Sequence, residues 1–165
     1  MTEGNKSIQS PIILKKTASR LMVILQLYQL KLFGGEVNNL APMVEDYLKM
    51  LSTPIGKQIS EELGLAKAEY AKQFITKLAR CYHDHNNKVD ELLKSEIANY
   101  DNEKLNPTCR ALLEIAISEM ISELTPYKVI IDEYTSLADA LLGVQEVGFV
   151  NSVLDKVRAK LQPIA

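Results

Sequence analysis

Tryptophan is absent from the 165 residues, aromatic side chains amount to 6%, and the chain has two cysteines, six prolines and seven glycines. Each shortage excludes something. Cys81 and Cys109 stand far apart and cannot form the disulfide framework of a small secreted domain, so they read as thiols with no assigned chemistry. Few glycines and prolines argue against a low-complexity or disordered chain, and 47% hydrophobic with 24% charged residues is an ordinary globular balance. Long apolar runs are missing too. Leu21 to Phe33 is interrupted by Gln26, Gln29 and Lys31, and falls short of the ~20 residues that cross a bilayer. Met1 to Gln9 lacks the order of a secretory signal, which points to the cytoplasm.

What is present favours helices. Leu, Ala, Ile, Lys and Glu dominate, and strand-favouring runs between turn signals are scarce. The length suits one all-α domain over residues 1–165, with residues 1–10 expected to be flexible, and leaves no room for a catalytic domain beside a recognition domain. Catalytic patterns are also lacking: no G-x-S-x-G, Walker or dinucleotide signature occurs. Asp132-Glu133 and Glu61-Glu62 are adjacent pairs that diverge on a helix. Cys81, His83 and His85 form C-x-H-x-H, but on a helix His83 points away from the other two, so a four-ligand metal site lacks members. No enzyme activity, metal or cofactor is expected.

The net charge of −2 hides an uneven distribution. Residues 1–20 carry Lys6, Lys15, Lys16 and Arg20 against Glu3, a net +3, and residues 151–165 carry Lys156, Arg158 and Lys160 against Asp155, a net +2. The middle of the chain is therefore acidic. Such a molecule can hold a phosphate backbone with its basic end and a basic protein with its body; alternatively, the charges merely solvate helix faces.

Capping and periodicity predict seven or eight helices. The first starts near Pro11 behind Ser10 and ends at Gly34-Gly35; its apolar residues leave no wide polar face, which predicts a helix surrounded by others. A second runs from Glu36 to Leu51, a short third from Pro54 to Leu63 before Gly64, and a fourth from Leu65 to His85. Asn86-Asn87 are breakers ahead of a segment with Val89, Leu92, Leu93, Ile97 and Tyr100. Asn106-Pro107 starts the next helix, to about Leu124. Thr125-Pro126 opens another that Gly143 stops, and the last spans Gln145 to Leu161.

Four stretches carry a resemblance. Thr125-Pro126-Tyr127-Lys128-Val129-Ile130-Ile131-Asp132-Glu133 resembles the P-x-K-V-x-I-N-E motif of the NusB antitermination family. Gly148-Phe149-Val150-Asn151-Ser152-Val153-Leu154-Asp155-Lys156 resembles its K-F-V-N-G-V-L-D-K. Arg110 to Met120 is similar to its R-x-x-L-R-I-A-x-Y-E-L helix, and Leu27-Tyr28-Gln29 falls where the family has A-L-Y. The likeness is strong from Pro107 to Leu161 and weak from Glu36 to Glu103.

That resemblance implies two perpendicular three-helix bundles and a factor that binds boxA-type RNA with ribosomal protein NusE within a transcription elongation complex, as a monomer or weak homodimer. It implies Lys15, Lys16 and Arg20 on phosphates, Phe149 stacked on a base, Lys128, Asn151 and Lys156 as nearby contacts, and Tyr28 near the protein partner. Single-stranded RNA suits such a set, because cations hold its phosphates while an aromatic ring stacks an unpaired base. Without the motif, Phe149 reads as core, Asn151 as a capping or network residue, and Tyr28 as packing. The sequence also departs from the family: Thr17 and Ala18 stand where basic residues are usual, and Gly148 replaces a lysine. Fewer cations predict weak RNA affinity and a shallow salt dependence. The alternative is a protein-binding helical adaptor that has lost its RNA.

Overall fold

A computed structural model describes residues 11–62, 71–98 and 105–162. The expected flexibility of residues 1–10, and the readings placed on Gly64, Leu65 and Tyr100, lie outside them. Among the described residues there are seven α-helices and no strand: α1 (Pro11–Leu32), α2 (Leu40–Leu51), α3 (Pro54–Glu62), α4 (Lys72–Ile97), α5 (Pro107–Ser122), α6 (Tyr127–Leu142) and α7 (Val144–Leu161). A 3₁₀ turn, Val37–Asn39, occupies the start of the expected second helix.

The punctuation works as the sequence suggests. Asn106 accepts a hydrogen bond from the Thr108 amide at 2.8 Å, and Pro107 opens α5 without needing a partner for an amide it lacks. Gly143 ends α6 at φ 109, a conformation that glycine adopts without a Cβ clash. Asn86-Asn87 follow a kink at which two helical segments join within α4. α4 runs through them, with non-helical angles at His85, and side chains take up freed carbonyls: Asn86 Nδ2 donates to His83 O at 2.7 Å. Among the described residues no helix is long and apolar enough to cross a membrane.

Packing sorts the helices into two triads. α1, α2 and α4 touch one another, as do α5, α6 and α7, and the triads meet through α1, α4 and α7 against α5 and α4. Their buried side chains merge into one apolar cluster. The surrounded helix is α5, not α1. Every residue from Ala111 to Met120 is buried, because α5 contacts α1, α4, α6 and α7. α1 instead leaves Leu25 and Leu32 exposed on one side, with Phe33 just beyond its end.

A helix buried on all sides also buries its polar residues, and these need partners. Glu119 receives Arg20 from α1 at 2.8 and 2.9 Å and the Tyr134 hydroxyl from α6 at 2.9 Å. Glu114 receives Lys31 from the far end of α1, with Arg110 at 3.5 Å. Ser118 bonds back to the Glu114 carbonyl. Thus α1 is fastened to α5 by two ion pairs as well as by apolar contact.

Candidate nucleic-acid interface

Lys15, Lys16 and Arg20 share one side of α1 by helical spacing, yet the fold gives them different tasks. Arg20 is 2% exposed and chelated by Glu119, with Glu133 3.5 Å away. Burial pulls its pKa down, but the hydrogen bond and charge of Glu119 more than reverse this, so the net shift is upward. Its expected role on phosphates is corrected accordingly: the guanidinium is committed to an internal carboxylate, and withdrawing it would leave Glu119 as an unpaired buried charge. Thr17, at a position where the family is basic, donates to Glu133 at 2.9 Å and extends the same network.

Lys15 and Lys16 are half-buried. Lys16 Nζ lies 5.5 Å from the centre of the Phe74 ring, and Arg20 Cζ lies 5.2 Å from it. One aromatic ring on α4 therefore steadies both cations. Ser19 ties the two helices at the same place by accepting a hydrogen bond from the Ala71 amide, just before α4, at 2.8 Å.

Between α1 and α4 this arrangement leaves a depression of about 450 Å³, lined by Lys16, Lys72, Gln73, Phe74, Lys77 and Leu124. Leu124 also lines a second depression with Tyr127 and Gln162. Those two residues in turn line a third, of about 490 Å³, with Lys128, Asp132, Asp155 and Arg158. The three adjoin end to end across the α5–α6 junction, with lysines at one end and Lys128 and Arg158 at the other. Asp155 neutralises part of that second end, at 2.9 Å from Arg158.

α7 divides the remaining expected residues between its two flanks. Asn151, Asp155 and Arg158 recur at helical spacing on the side of Lys128, whereas Phe149, Lys156 and Lys160 recur on the other. Lys160 bonds to Ser95 and Glu96, so that second flank adjoins α4. Asn151 and Lys156 are exposed, and Phe149 is half-buried against the core. Its ring thus has a packing role while keeping an outer part accessible.

Phe149 also lies at the opposite end of α7 from the α1 lysines. Leu161 adjoins Leu124, which adjoins Lys16, and Phe149 precedes Leu161 by about 18 Å of helix at ~1.5 Å per residue. Phe149 is therefore not among the residues beside Lys16 in the depression between α1 and α4. Lys16 is grouped with Lys72 and Lys77, two lysines that the sequence reading passed over because it followed only the apolar stripe of α4.

Tyr28 is half-buried on α1, packed against the core, beside the exposed stripe formed by Leu25 and Leu32. The C-x-H-x-H cluster splits on the helix. His85 Nδ1 lies 3.1 Å from the Cys81 carbonyl, while His83 pairs with Asp84 at 3.0 Å. Burial, aided by Asp84, pushes the Cys81 thiol up to about 11, which suppresses the thiolate that a metal or an electrophile would need.

Comparison with known proteins adds a family to this geometry. The NusB family profile matches residues 17–159. A transcription antitermination protein NusB of Rickettsia bellii is 30% identical over 145 residues, covering 87% of this chain and 89% of that protein. Those of Rickettsia typhi and Rickettsia felis are 40% and 39% identical over 82 residues, 48% of this chain, which thereby spans about half of their length. With the helical order, the Pro107–Leu161 motifs and a match that spans most of its length in agreement, the chain belongs to the NusB family.

Proposed function

We propose that this protein is a non-enzymatic transcription antitermination factor of the cytoplasm that binds boxA-type single-stranded RNA together with NusE. Family membership over residues 17–159 carries the reading. The surface supports it with cations for phosphates in Lys15, Lys16, Lys128 and Lys156, an exposed amide in Asn151, and a partly accessible ring in Phe149. The stripe of Leu25 and Leu32 next to Tyr28, continued by Phe33, supports a protein partner on the other side of α1. The withdrawal of Arg20 into the core lowers the count of surface cations and favours dependence on that partner.

The same withdrawal is the observation behind a second reading, a protein-binding adaptor without RNA. Fluorescence anisotropy of a labelled boxA-type RNA, with and without NusE at two salt concentrations, separates the two. The antitermination reading expects binding that tightens with NusE and weakens roughly tenfold in Phe149→Ala, a loss of ~1 to 3 kcal/mol of stacking, while the variant stays folded. Capture of NusE with no RNA bound even at low salt would establish the adaptor and reject the RNA reading.

A further inference from the structure

The depression between α1 and α4 brings together charges that no sequence motif links. Lys16 comes from one helix, Lys72 and Lys77 from another, and Lys72 and Lys77 are exposed. Among the described residues that line it there is no carboxylate. Three like charges around one opening repel one another, and an anion with several negative groups relieves that repulsion. Lys16 is also preorganised: its ammonium is held beside the buried Phe74 ring, so little side-chain freedom remains to be lost on binding.

The shape of the surface favours a polymer over a single small anion. The depression adjoins, past Leu124, a second lined by Glu123 and Tyr127 without a lysine or arginine, and then a third where Lys128 and Arg158 stand with Asp132 and Asp155, so positive groups recur at the two ends of a path over the helix ends. A flexible single strand can follow such a path, whereas a duplex presents its phosphates on a stiff, regular surface. We propose that Lys72 and Lys77, beside Lys16, form a phosphate-binding groove that leads the backbone of single-stranded RNA toward Tyr127 and Lys128, on a track separate from the Phe149 flank. This assignment rests on the RNA-binding reading above and adds the α4 lysines to it.

The test is the salt dependence of binding, which a purely structural effect would leave unchanged. A labelled single-stranded boxA-type RNA is titrated in the presence of NusE over a range of salt with the full chain, with the double variant Lys72→Gln/Lys77→Gln, with Lys72→Arg/Lys77→Arg, and with Phe149→Ala. Each phosphate contact on a single strand contributes about 0.7 to the slope of log K against log salt, so the glutamine variant should bind roughly tenfold more weakly at 0.1 M salt with a slope shallower by about 1.4. The arginine variant keeps the original slope, and Phe149→Ala loses affinity at an unchanged slope. A folded glutamine variant with unaltered affinity and slope overturns the groove and leaves RNA binding intact. Failure of the unmodified chain to bind at low salt overturns both, and an equal response with duplex RNA of the same sequence overturns the assignment to a single strand.

Discussion

Glu119 and Glu114 lie on the same buried helix, five residues apart, and each receives a cation from α1. Their settings differ. Arg20 and Glu119 are 2% and 0% exposed and joined by two parallel bonds, with Tyr134 closing the arrangement. Lys31 is 37% exposed and reaches a single oxygen of Glu114, whose other oxygen faces Arg110 at 3.5 Å. Similar pairings of charge therefore serve different ends. At Glu119 neither partner can return to water without the other being stranded, so the pair fixes where α1 sits on α5 and α6. At Glu114 solvent screens the lysine, and a second cation stands ready.

Breaking the sealed pair should have the largest effect. Arg20→Ala leaves Glu119 charged and buried, and a loss of about 3 to 5 kcal/mol in urea unfolding is expected. A loss under 1 kcal/mol would show that the two settings do not differ in kind. Lys31→Ala should cost about 1 kcal/mol or less, because the lysine is screened and Arg110 remains beside Glu114; the same titration measures it. The smallest effect at neutral pH comes from the buried thiols, which carry no charge there. Burial, with help from Asp84, raises the Cys81 thiol to about 11, and burial, with help from Glu146, raises Cys109 to about 12. An unfolded thiol ionises near ~8.5. Above that pH the unfolded chain releases protons that the folded chain retains, so this contribution is intact below pH ~8.5 and is lost as the pH rises through about 11 to 12. Urea midpoints should fall over that window, less steeply in Cys81→Ala; parallel curves for variant and parent would reject the assignment.

The elements themselves were legible because their signals are local. Asn106-Pro107, Gly143 and the apolar periodicity of α2, α5 and α7 each act within a few residues, and the structure uses them at those places. The fate of the charges was not legible. Lys16 and Arg20 differ little in sequence context, and one meets Glu119 from ninety-nine positions away while the other stays at the rim. The choice of surrounded helix was hidden for the same reason: α5 contains Glu114 and Glu119, which local pattern assigns to a polar face, and only their distant cations make burial tolerable. The α4 lysines were overlooked because a groove between helices has no periodicity in either of them. The two flanks of α7, by contrast, follow from helical spacing alone and could have been separated from the sequence.

The bend at His85 gives α4 two directions of travel. Its opening turns lie along α1, with Phe74 beneath the cations, while its closing turns reach Lys160 on α7 through Ser95 and Glu96. A straight rod of this length, about 39 Å at ~1.5 Å per residue, would have to follow one line. Bent, the helix works as a bracket with an arm on each triad, so any change in its angle would turn the row formed by Lys72 and Lys77 relative to the Phe149 side of the molecule.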